Sequence, residues 1–181
     1  MPPLRISIVG CSGTGKSTLA RRIESQLGLP RLELDSVFHQ PDWEPLPDEP
    51  FRERVSTFMD RHDEWVIDGN YEPVRSLVWE RATTVLWLHP SRWRTMRQVC
   101  WRTLRRGLTR KELWNGNREP LSNFHSLNPE KSIIAWAWTT YPKNAETYTA
   151  LFAEDRWSRL DTNRFEHPRE VEKWLSEICS T

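Results

Sequence analysis

Gly10-Cys11-Ser12-Gly13-Thr14-Gly15-Lys16-Ser17-Thr18 fits the pattern G-x-x-x-x-G-K-[ST], and it leaves the chain little freedom in how it folds. It follows an apolar run, Leu4 to Val9, and leads into Leu19, Ile23 and Leu27 at helical spacing. Glycines at these positions let the backbone curl so that successive N–H groups point inward at a helix N-terminus, forming an anion nest. Lys16 then reaches the β- and γ-phosphates of a nucleoside triphosphate, and the Ser17 hydroxyl ligates Mg²⁺. Gly10 through Thr18 are therefore the expected nucleotide-binding residues. A buried strand, a phosphate loop and a helix are the opening of a parallel α/β sheet.

The rest of the chain continues that alternation. Gly28 and Pro30 stop the first helix, and a short strand from Arg31 to Leu34 ends at Asp35. Prolines 41, 45, 47 and 50 make residues 40–50 irregular, and a helix with Phe51, Val55, Phe58 and Met59 on one face follows. Trp65 to Asp68 reads as a strand closed by an Asp-Gly-Asn turn, and Thr83 to Leu88 as another, stopped by His89-Pro90. From Ser91 the spacing predicts a helix with Trp93, Met96, Cys100 and Leu104 as its inward seam and Arg97 caught within it. Gly107 to Leu127 reads as a mobile loop, Asn128-Pro129-Glu130 as a helix start, Trp157 to Leu160 as the last strand, and Pro168 as the start of a terminal helix. One domain spanning residues 1–181 is expected.

Composition narrows the function class. With a net charge of +1, the whole chain makes no electrostatic case for nucleic acid. Its distribution is uneven: residues 33–64 hold ten acids against three arginines, and residues 92–111 hold eight bases and no acid. Three scattered cysteines form neither a disulfide framework nor a zinc site. No apolar run approaches the ~20 residues of a membrane span, and no signal-peptide pattern precedes the first strand. The chain reads as cytoplasmic.

Ligands of open α/β sheets bind at the carboxyl edge of the strands, which brings Asp35 and Asp68 towards the phosphate loop. Phosphoryl transfer needs positioning and charge neutralisation. Asp68 suits the Mg²⁺ shell together with Ser17. Asp35 suits the acceptor side, as general base or hydrogen-bond acceptor, although an N-cap role serves it equally well. Arg97 has no cheap place for its charge in an apolar seam unless an anion is near. Arg102, Arg105 and Arg110 are the lid candidates. Trp43 and Trp114 are the two tryptophans suited to stacking on a substrate. His39 reads as a packing residue, and Cys11 as a filler of the loop. The expected catalytic set is Lys16, Asp35, Asp68, Arg97 and Arg102.

Three stretches, Ile8 through Thr18, Leu34 through Trp43 and Glu64 through Tyr71, resemble nucleotide-kinase-like P-loop proteins such as adenylate, shikimate and gluconate kinases. The likeness is nearest to the bacterial DNA topology modulation proteins. It implies a three-layer α/β/α fold with a five-stranded parallel sheet of order 2-3-1-4-5. It also implies an acceptor-binding insert at about 36–62, an arginine lid at about 92–127, and a base-contacting loop at Asp161 to Arg164. Asp42-Trp43-Glu44 stands where basic residues would grip a nucleoside monophosphate, which points to a neutral or cationic acceptor.

The expected function is transfer of the γ-phosphoryl of MgATP to a small molecule. Two alternatives compete: a nucleotide-dependent regulatory or DNA-binding protein, supported by the arginine-rich segment alone, and a toxin-type kinase. No [NT]-K-x-D motif supports a GTPase.

Overall fold

The computed structural model describes residues 3–109, 112–118 and 132–180. Five strands, β1 (Arg5–Gly10), β2 (Arg31–Glu33), β3 (Trp65–Asp68), β4 (Thr84–Leu88) and β5 (Asp161–Phe165), form one parallel sheet of order β2-β3-β1-β4-β5. The central strands are buried on both faces, as a sheet covered by helices on each side requires.

Side-chain alternation divides the core between those two layers. Ile6 and Ile8 of β1, Val66 of β3, and Leu86 and Leu88 of β4 face α1 (Lys16–Leu27) and α7 (Pro168–Cys179). Val9, Trp65, Ile67, Val85 and Trp87 point the other way. They meet α3 (Asp48–Arg61), α4 (Glu72–Arg81) and the Tyr148 end of α6 (Ile133–Phe152). Trp79 of α4 is central there, with its ring stacked on Phe152 at 5.4 Å and edge-on to Trp157 at 5.2 Å.

Several elements differ from the sequence reading. β2 stops at Glu33, so Asp35 lies in a short helix, α2 (Leu34–Phe38), rather than at a strand end. α4 was not expected, although Pro73 in its first turn and Val74 and Val78 at i, i+4 mark it. Trp157 and Leu160 are buried core residues of a 3₁₀ turn and the following bend, not a strand. The last strand is the polar Asp161–Phe165, which pairs with β4 alone and buries only Phe165. The segment expected to contact the base is therefore the strand itself, and Glu166 and His167 follow it towards the cleft.

The helix after β4, α5 (Arg92–Thr109), extends beyond the expected loop boundary at Gly107. It is also rotated from its expected orientation: it buries Thr95, Met96, Val99 and Thr103, while Trp93, Cys100 and Leu104 are exposed. The expected start at Asn128-Pro129-Glu130 lies outside the described residues. α6 is capped by Ser132, whose hydroxyl accepts from the Ala135 N–H at 3.4 Å. Among the described residues no helix is long and apolar enough to cross a membrane.

Candidate functional site

The loop between β1 and α1 owes its path to glycines that nothing else replaces. At Gly13 φ is +83°, and an added Cβ would stand 2.3 Å from Val99 Cγ2 of α5. At Gly10 a Cβ would lie 2.4 Å from the Leu88 carbonyl oxygen, so β1 and β4 could not approach as they do. Lys16 folds back over this loop, donating to the carbonyls of Gly10 at 2.8 Å and Cys11 at 3.1 Å. Burial holds the ammonium pKa below its ordinary 10.5, against the opposing pull of the Asp35 and Asp68 carboxylates. Arg102 on α5 donates to the Ser12 hydroxyl at 2.9 Å, joining the lid-side helix to the loop.

Asp68 closes β3 beside this lysine and is only 2% exposed. Desolvation pushes its carboxyl up from 3.8 to about 6; a Ser17 hydrogen bond pulls it down, Glu33 adds to the rise, and Lys16 and Arg31 oppose it. The Arg31 guanidinium lies 3.4 Å from Asp68, 3.3 Å from Glu33 and 3.1 Å from Glu24. Among the described residues no group of three or more His, Cys, Asp or Glu could hold a metal ion. The chemistry of the donors fits Mg²⁺ held in another way. A hard hydroxyl and a carboxylate, Ser17 and Asp68, face one another, and phosphate oxygens and water complete the shell. A divalent cation would also supply the positive charge this buried carboxyl lacks.

Asn70 is a site residue the sequence reading took for part of a turn. Its amide oxygen accepts from the Gly10 N–H at 3.0 Å, and its amide nitrogen donates to the Gly10 carbonyl. The Tyr148 hydroxyl donates to the same amide oxygen at 3.1 Å. One side chain thus holds both polar groups of Gly10, where strand becomes loop, and α6 steadies it. An Asn two residues beyond a strand-end acid is the signal that could have found it.

Asp35 faces the cleft from α2. The Tyr71 hydroxyl donates to its Oδ1 at 2.7 Å and lies 3.4 Å from His39 Nε2. Burial and the neighbouring carboxylate push the phenol far above its ordinary range, so Tyr71 remains a donor. His39, expected as packing, joins both flagged tryptophans. Its ring stacks on Trp114 at 5.8 Å and meets Trp43 edge-on at 5.2 Å, and the two indoles are 6.3 Å apart at 84°. Burial lowers the His39 pKa, favouring neutral imidazole.

This aromatic wall is built from two loops tied together. Asn117, 4% exposed, accepts from the Trp43 N–H at 3.0 Å and donates to the Gln40 carbonyl at 2.8 Å. Asn115 donates to the carbonyls of Ser36 and His39, and Trp43 Nε1 to that of Arg118 at 3.3 Å. Both loops carry left-handed residues at their bends, Asp42 and Trp43 in one, Asn115 and Gly116 in the other.

Lys16, Ser17, Asp35, Asp68, Arg102, Trp43 and Trp114 all line one open cleft of about 1560 Å³, together with Arg94, Arg105 and Arg106. Arg97 does not. It lies on the exposed face of α5 and away from the cleft, because the helix buries its threonine-containing face and turns the expected seam outward. Arg110 lies outside the described residues. Cys11 is buried, its thiol 3.8 Å from the Ala137 carbonyl and from the Thr140 hydroxyl of α6, consistent with a filler.

Sheet order, flanking helices and the loop between β1 and α1 define the class: a three-layer P-loop NTPase fold of the kinase type. Among solved structures the chain is similar to a gluconokinase from Sinorhizobium meliloti 1021, at 20% identity, a TM-score of 0.55, and coverage of 99% of this chain and 95% of that one. That likeness shows the fold. No protein-family model matches the sequence, and no curated protein matches it significantly.

Proposed function

We propose that the chain is an ATP-dependent phosphotransferase acting on a hydroxyl-bearing small molecule. One observation carries the reading: Lys16, Ser17 and Asp68 share a cleft with Asp35 and an aromatic wall, so donor and acceptor halves face each other. Nucleotide phosphates lie in the Gly10–Thr18 loop, with Lys16 released from its loop carbonyls onto them. Ser17 and Asp68 hold Mg²⁺, which when bound neutralises charge developing on the phosphates. Asp35, fixed through Oδ1 by Tyr71, receives the acceptor's hydroxyl proton. The hydroxyl oxygen bonds to the γ-phosphorus, the bond to the β-phosphate bridging oxygen breaks, and ADP leaves. Arg102, already at the loop through Ser12, stabilises the transferring group. The gluconokinase similarity supports a kinase only at this coarse level.

The Asp68-Gly69-Asn70-Tyr71 stretch supports kinship with the DNA topology modulation proteins, but the arginines of α5 argue for nucleotide chemistry. Arg94, Arg102, Arg105 and Arg106 line the cleft instead of forming an outward basic stripe for a duplex.

The test is wild type against Lys16→Ala on a panel of sugar, nucleoside and amino-alcohol acceptors with MgATP. At least one acceptor should raise ADP release in the wild type and not in the variant. If none does, the phosphotransferase reading fails.

A further inference from the structure

α5 presents three faces, and the protein's own fold accounts for only two. Thr95, Met96, Val99 and Thr103 are buried, and Arg94, Gln98, Arg102 and Arg105 line the cleft. The third face carries Trp93, Arg97, Cys100, Leu104 and Leu108, at i, i+4, i+7, i+11 and i+15, all exposed, with Trp101 on its edge. At 3.6 residues per turn these positions form one stripe along the helix.

Trp93 is 78% exposed, Leu108 71%, Trp101 68% and Leu104 42%. Fully exposed side chains of this size offer ~150–250 Å² each, so the four leave roughly 550 Å² of apolar surface in water. That equals the largest patch of a typical monomer, about 300–600 Å². With the backbone and side-chain stems between them, it approaches the ~800 Å² that each partner contributes to a standard interface.

We infer that this stripe is a self-association surface, pairing with the same stripe of a second copy about a two-fold axis near Cys100. The spacing supports a self-complementary contact. In an antiparallel helix pair centred there, the small Cys100 meets its equivalent on the axis, where the helices approach most closely. Arg97 lies across from Leu104, its aliphatic stem packing and its guanidinium reaching outward. Trp93 lies across from Leu108 at each end. Steps of three and four residues are the ridge spacing of packed helices. The cleft-lining arginines stand on a different face, so pairing leaves the cleft open. α5 carries no acid to balance a neighbour's arginines, so the contact is driven by apolar burial and is not weakened by salt.

The experiment is light scattering of the full chain at low and high salt, with thiol cross-linking by a short bis-maleimide. Cys100 and Cys179 are exposed and Cys11 is buried, so the cross-link reports on the surface used. The expected result is a dimer that persists at high salt. Its cross-link is lost in Cys100→Ser and kept in Cys179→Ser. Leu104→Glu, an exposed position that leaves the melting temperature unchanged, should give monomer at the same concentration. A monomer at all concentrations overturns the proposal. So does a dimer indifferent to Leu104→Glu, or one cross-linked through Cys179. Salt-sensitive binding of a monomer to phosphatidylglycerol vesicles would assign the stripe to an anionic surface and overturn it as well.

Discussion

Replacing Asp68 with asparagine should make this protein more stable and less competent. Asp68 is almost wholly buried, and its carboxyl rises from 3.8 to about 6 in the folded chain. The sign follows from which state ionises first. Below pH 3.8 both folded and unfolded chains hold the proton and no penalty exists. Between 3.8 and about 6 the unfolded chain releases it while the folded one retains it, so stability falls as pH rises. Above about 6 both are ionised and the penalty is complete, about 3 kcal/mol at ~1.4 kcal/mol per pH unit. The substituted amide carries no such charge and still accepts from Ser17. What it forfeits is the attraction of Arg31 and Lys16. Arg31 keeps Glu33 and Glu24, so that loss is about 1 kcal/mol. Asp68→Asn should therefore gain about 1–3 kcal/mol near pH 8 and almost nothing near pH 4, measured by urea unfolding at both. Mg²⁺-dependent nucleotide turnover should collapse in the same variant. Equal stability differences at the two pH values, or a less stable variant near pH 8, would refute the account of Asp68 as a strained, cation-seeking carboxylate.

Gly13→Ala forces a Cβ onto Val99 and an L-residue into a left-handed bend, and should cost about 2–4 kcal/mol. Combining it with Val99→Ala relieves the contact but not the bend, so a double-mutant cycle by thermal unfolding should show favourable coupling of roughly 1–2 kcal/mol. Asn117→Ala strands the Trp43 N–H and the Gln40 carbonyl and should loosen both loops by about 1–3 kcal/mol. Hydrogen exchange at the Trp43 amide should speed up while the β1 amides stay protected.

The phosphate loop was legible because its chemistry is local: glycine bends, a lysine and a hydroxyl at fixed offsets need no tertiary partner to be recognised. The acids at the sheet edge were legible through the α/β rule, although Asp35 reached the cleft from a helix turn. The last strand was misread because its buried residue is Phe165 alone. An edge strand needs little apolar surface, and the apolar Trp157 and Leu160 nearby belong to the core without being extended. α5 was rotated in the reading because two of its buried positions are threonines while its tryptophan, cysteine and leucine face outward. Hydrophobicity alone assigns such a helix to the wrong side. Trp43 and Trp114 could be flagged singly, but their partnership depends on amide-to-carbonyl bonds across some seventy residues of sequence, which no local pattern encodes.

Those bonds have a mechanical meaning. The arm carrying Trp114 continues from α5, whose Arg102 holds Ser12, and the loop carrying Trp43 continues from α2, which holds Asp35. Because asparagine amides stitch arm and loop together, neither can swing without carrying the other or breaking the stitches. The two sides of the cleft share a single degree of freedom. A change in the length of either loop must then be matched in the other, and gripping one substrate adjusts the fit for its partner without any dedicated relay.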